Sequence, residues 1–133
     1  MPHFIIEHST NIADKIQIPE LFEKLHNVAV ETGVFPLGGL RSRVIPVDQY
    51  RIADGHPDNA FVHVSMRVGA GRERETLVAA CERIFAVLTD HFEPLHRAGP
   101  LALSYEIRQM DKDLNFRKTN IREHMAKRAG KEA

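Results

Sequence analysis

The chain has 133 residues, 43% of them hydrophobic and 27% charged, and its 18 Lys and Arg balance its 18 Asp and Glu. That length suits one globular domain, which can bury about two-thirds of its unfolded surface without a disulfide or metal staple. Zero net charge supplies no global attraction to DNA, RNA or an anionic membrane, so small molecules or proteins are the expected partners.

The single cysteine, Cys81, cannot form an internal disulfide, and no run approaches the roughly 20 apolar residues of a membrane span. The opening Met-Pro-His-Phe-Ile-Ile-Glu lacks the basic, apolar, small-residue order of a signal peptide. A cytoplasmic protein is expected, with no nucleic-acid and no membrane partner.

Phe4, Ile5 and Ile6 form a short apolar run bounded by Ser9, Thr10 and Asn11, which predicts a buried strand. From Ile18 the apolar residues Leu21, Phe22, Leu25, Val28 and Val30 recur every three to four positions. Pro19 stands early and Gly33 follows as a stop, so the period predicts a helix. After a turn-like stretch from Phe35 to Gly39, Leu40 to Val47 reads as a second strand.

The order then repeats. Ala60 to Val68 predicts a strand, Gly69-Ala-Gly71 breaks it, and a long helix follows with Leu77, Cys81, Ile84, Leu88 and Phe92 on one face. Pro94 to Pro100 reads as a loop, and Leu101, Leu103, Tyr105 and Ile107 alternate with polar or small residues in a fourth strand. The expected class is α+β: two β-α-β units forming a four-stranded sheet with two helices on one face. Residues 53–59 are turn-rich and compatible with a hairpin between the second and third strands. One domain is expected over residues 1–121, with 122–133 a polar C-terminal tail whose last residues fray. Strands 4–6 and 60–68 read as apolar on both sides, which predicts that the uncovered sheet face packs on other subunits.

Motif searches exclude much chemistry. No nucleophile elbow, paired cysteine ligands, Walker loop or His-Glu-x-x-His is present, and Gly69-Ala-Gly-Arg72 continues wrongly for a dinucleotide fingerprint. The eight histidines lack metal-ligand spacing and read as ordinary core or surface residues, and Cys81 reads as core. No metal and no cofactor are expected.

Pro2 remains. Removal of Met1 before a small residue would leave a free secondary amine, whose ordinary pKa of about 7.7–8.0 falls with burial and nearby cations, making it a candidate base. A chain that keeps Met1 has an amide there and no basicity. Arg41 and Arg43 open the second strand, and Arg72 and Arg74 open the second helix after glycines, an arrangement suited to a carboxylate. Arg74 also reads as a solvated surface charge, as does Arg43, which shares a strand face with Arg41.

Several segments in this order resemble the 5-carboxymethyl-2-hydroxymuconate isomerases of the tautomerase superfamily with an amino-terminal proline. They are Pro2-His-Phe-Ile-Ile-Glu7, Thr32-Gly-Val-Phe-Pro-Leu-Gly-Gly-Leu-Arg-Ser-Arg43, Ala53-Asp-Gly55, Phe61-Val-His63, Val68-Gly-Ala-Gly-Arg72 and Leu114-Asn-Phe116. The resemblance runs from residue 2 to about residue 121. It implies a tautomerase-like fold, a homotrimer with active sites near subunit boundaries, and a small anionic dienol substrate converted to a 2-keto acid in bacterial breakdown of homoprotocatechuate. It also implies Pro2 as general base and Arg41 and Arg72 as functional arginines. Binding of substrate carboxylates is our physical assignment for Arg41 and Arg72, with Arg43 as a further candidate. Alternatives are another proline-dependent tautomerase, a decarboxylase or dehalogenase of unsaturated acids, and a non-catalytic trimer that binds a ligand.

Overall fold

A computed structural model describes residues 2–130. The expected removal of Met1 and the expected fraying of the last residues concern positions that lie outside, wholly or in part. Strand β1 spans His3–Ser9, helix α1 Ile18–Glu31, β2 Arg41–Val47, β3 Ala60–Gly69, helix α2 Arg74–Ala98, β4 Leu101–Met110 and helix α3 Ile121–Gly130. The sheet order is β2-β1-β3-β4; β1 runs parallel to β2 and antiparallel to β3, and β3 runs parallel to β4. This is the expected pair of β-α-β units, joined through their first strands.

Alternation along the strands decides which residues meet the helices. Phe4 and Ile6 of β1 and Val62, Val64 and Met66 of β3 are fully buried against Leu21 and Leu25 of α1 and Ile84, Leu88 and Phe92 of α2. Both helices cover this one face and touch each other. Each such side chain contributes about 1.5–3 kcal/mol by leaving water, and Leu88→Ala would cost about 2–5 kcal/mol because the cavity adds to the transfer loss. α1 ends where Gly33 turns at φ +74°, while Thr32 Oγ1 donates to Ala29 O at 2.6 Å and accepts from Val34 N at 3.2 Å.

Three expectations are corrected. Residues 53–59 close no hairpin, because β1 lies between β2 and β3. β2 is instead an edge strand, where Pro46 and its missing N–H are tolerated. The segment from Pro94 is not a loop: α2 continues through it to Ala98, held by Phe92, 1% exposed, and by Leu95 packed on the core. β3 is not apolar on both sides. Its outer residues are Phe61, His63, Ser65 and Arg67, alternating with the buried set, and the outer face of β1 contributes Ile5, 8% exposed.

Three further elements were not anticipated. A 3-10 turn, Thr10–Lys15, follows β1, and another, Leu37–Gly39, precedes β2. The polar C-terminal stretch forms α3, which buries no residue and rests on the Leu37–Gly39 turn. Among the described residues no helix is long and apolar enough to cross a membrane.

Candidate active site

Pro2 is buried at the head of β1, and its carbonyl accepts a hydrogen bond from Arg41 N at 3.2 Å, so the residue is pinned by the first rung between β1 and β2. A pocket of about 250 Å³ opens over it. Its floor is Pro2 and the turn at Pro36, Gly38 and Gly39; Arg72 enters from the β3–α2 loop, and Arg117, Thr119 and Arg122 enter from the segment after β4. The turn itself is held by Gly39 N donating to Pro36 O and Leu40 N donating to Leu37 O, both at 3.1 Å.

Arg72 is the best-fixed cation here. Gly71, at φ +107°, reverses the chain after β3. The Arg72 guanidinium then donates to Gly69 O at 3.2 Å and to Val34 O at 3.3 Å, and its carbon lies 5.0 Å from the centroid of the buried Phe35 ring. These contacts leave a planar, permanently charged fork beside Pro2. Arg72 precedes α2 by two residues, and the first turn of that helix adds nothing to the pocket lining. The expected helix-terminal N–H groups are therefore not part of the pocket.

Arg41 lines an adjoining hollow of about 520 Å³ with His3, Met110 and residues 115–121. Arg117 and Thr119 border both spaces. Arg43 lines neither; its Nη1 donates to His3 Nδ1 at 3.1 Å on the outer sheet face. Burial, then the charges of Arg41, Arg43 and Arg67, holds His3 below the usual histidine range, which suits a ring that accepts from a guanidinium. Arg74 is exposed and borders a further hollow with Arg72, Val78, Cys81 and Gln109, which neither Pro2 nor Arg117 lines. Another hollow, about 470 Å³ at the far end of the sheet, has only Lys15 and Asp58 as charged lining and gathers no like charges.

The structure thus brings Pro2 and Arg72 into one pocket, sets Arg41 in the next, and leaves Arg43 and Arg74 outside both. Sequence reasoning missed Arg117 and Arg122. Their only local signal is positive charge just after Leu114-Asn-Phe116, whose two apolar side chains are 80% and 89% exposed. Among the described residues no three His, Cys, Asp or Glu side chains gather as a metal site.

The family model for 5-carboxymethyl-2-hydroxymuconate isomerase matches residues 2–125, a span that takes in Pro2, Arg72 and the segment after β4. The chain belongs to that family. It is 44% identical over 121 residues to the 5-carboxymethyl-2-hydroxymuconate Delta-isomerase of Escherichia coli, covering 91% of this chain and 96% of that protein. The crystal structure of a 5-carboxymethyl-2-hydroxymuconate isomerase from Deinococcus radiodurans R1 superposes with a TM-score of 0.87 at 36% identity, covering 93% of each chain. A structure described as a W0 fused 4-OT wild type symmetric trimer has a TM-score of 0.67 at 13% identity over 87% of this chain and 93% of that one. The latter likeness concerns the fold alone.

Proposed function

We propose that the protein is a cofactor-independent isomerase that converts 5-carboxymethyl-2-hydroxymuconate to its unsaturated 2-keto isomer in the breakdown of aromatic compounds. The observation that carries this reading is the shared pocket of Pro2 and Arg72 in a chain of the isomerase family.

After loss of Met1, the neutral amine of Pro2 takes the proton of the 2-hydroxyl group. The oxygen electrons form the carbonyl, the double bonds shift along the chain, and the ammonium returns its proton to carbon at the far end of the conjugated system. The base is regenerated and nothing else is consumed. Arg72 binds a carboxylate and stabilises the negative charge that develops on the 2-oxygen, and Arg41, in the adjoining hollow, binds a second carboxylate. Arg43 enters through His3, whose ring it engages.

A homotrimer is part of the proposal. Support comes from the symmetric trimer of the same fold and from the outer sheet face, where Ile45, Val47 and Phe61 remain partly exposed to a second copy of the chain. A cytoplasmic setting accords with the lone free thiol of Cys81.

The test is an ultraviolet assay on protein whose intact mass shows Met1 removed. The carboxymethyl substrate is expected to turn over in preference to plain 2-hydroxymuconate and phenylpyruvate. Pro2→Ala should abolish most turnover, and Arg41→Ala or Arg72→Ala should lose more than tenfold, about 1.4 kcal/mol of transition-state stabilisation. Preference for either simpler substrate overturns the substrate assignment, and normal activity in all three variants overturns the mechanism. Solution mass decides the trimer.

A further inference from the structure

Three guanidinium groups, those of Arg72, Arg117 and Arg122, converge on the pocket at Pro2. Among the described residues no carboxylate lies within ion-pair distance of any of them. Like charges gathered without a counter-ion form a field suited to a polyanion, and the fork of arginine matches a carboxylate edge.

Arg122 is seated by shape as well. A Cβ on Gly38 would stand 2.5 Å from Arg122 Cγ and 3.3 Å from its Cδ, so the arginine stem crosses the turn where a side chain is missing. Gly38 and Arg122 both line the pocket, and α3 rests on that turn. Arg117 borders both the Pro2 pocket and the Arg41 hollow, within reach of an anion held in either.

The substrate of the proposed reaction has three carboxylates: one at each end of the muconate chain and one on the carboxymethyl arm. Arg72 and Arg41 account for two. We propose that Arg117 and Arg122 are specificity-determining residues that bind the third, so that the segment after β4 distinguishes a tricarboxylate from a dicarboxylate. The assignment of the third carboxylate rests on the proposed function.

Two measurements test it on the full chain. The first compares kcat/KM for 5-carboxymethyl-2-hydroxymuconate and plain 2-hydroxymuconate in wild type, Arg117→Gln/Arg122→Gln and Arg122→Lys. The double variant should lose at least tenfold more on the carboxymethyl substrate than on the plain one, chiefly through KM, and Arg122→Lys should lose less than the double variant. Equal losses on the two substrates, or a loss confined to kcat, overturns the proposal. The second is calorimetric titration with two unreactive probes, propane-1,2,3-tricarboxylate and glutarate. Wild type should prefer the tricarboxylate by tenfold or more, and the double variant should not; absence of preference in wild type overturns the proposal. If the preference is present but neither hydroxymuconate is turned over, the proposed reaction fails while the tricarboxylate site stands. Both arginines are exposed, so far-UV circular dichroism of the variants should match wild type.

Discussion

The guanidinium of Arg72 is stacked on Phe35, a ring 1% exposed that anchors the chain between α1 and the turn beneath Pro2. The contact couples the core to the pocket, because the same guanidinium is tied to two backbone carbonyls. Phe35→Leu nearly conserves volume and should cost about 1 kcal/mol of stability. Loss of the ring face should also raise KM about three- to tenfold, the equivalent of a cation–π contact of roughly 1 kcal/mol. An unchanged KM would show that the two carbonyls alone orient Arg72. Arg72→Lys keeps the charge but cannot reach both carbonyls from one point, and should lose more than tenfold in kcat/KM.

His26 of α1 accounts for a pH effect on stability. Its Nε2 lies 2.7 Å from Ser42 Oγ on β2, its ring stacks near Phe4, and burial holds it below its ordinary value of 6.5. The unfolded chain therefore binds protons here more readily than the folded one. The stabilisation is complete above about pH 6.5 and is lost as the pH falls toward the lower folded value. The melting temperature should decline from pH 7 to pH 5. His26→Gln, which can still bond Ser42 but does not titrate, should flatten part of that decline, the remainder coming from His3, which is shifted in the same direction. A slope identical to wild type would exclude His26 from this window.

Cys81 should be a slow thiol. Burial first, and then the charge of Glu82, pushes it above the ordinary thiol range, so little thiolate is present at neutral pH. Alkylation of the native protein by iodoacetamide at pH 8 should run at least tenfold slower than that of glutathione. A rate equal to the free thiol would mean that the hollow beside Arg74 exposes Cys81 fully to the reagent and that burial does not suppress its thiolate.

A chain ending at Asn120 should keep its fold. α3 buries no residue, so the melting temperature should change by less than about 4 °C, which is about 1 kcal/mol for a domain of this size. The truncation also removes Arg122, so activity on the carboxymethyl substrate should fall although the core is intact. A larger thermal loss would make α3 part of the folding unit.

Local periodicity carried most of the fold. The spacing of Leu21, Leu25 and Val28, and the alternation of Val62, Val64 and Met66, each report which side faces the core, and burial follows both patterns. What failed was either non-local or a contest between local and tertiary terms. No residue in 53–59 says that β1 will lie between its neighbours, because that pairing is chosen across the whole sheet. Pro94 disfavours a helix locally, but Phe92 and Leu95 on either side hold the backbone to the core. In the pocket, Pro2 and Arg72 were legible through chemistry and family pattern. Arg117 and Arg122 were not, since a cation in a polar stretch looks the same whether it faces water or a pocket 80 residues away in the chain.

Gly38 illustrates a conflict for protein engineering. Its φ is not in the left-handed region, so backbone rules would allow alanine in this short helical turn. Such an exchange ordinarily gains about 0.4–1 kcal/mol by restricting the unfolded chain. Here the added methyl would collide with the stem of Arg122. The exposed Arg122 would have to swing away from the turn, so a stabilisation campaign guided by backbone entropy would rebuild the pocket wall at this position, a change that a screen reading melting temperature alone would not register.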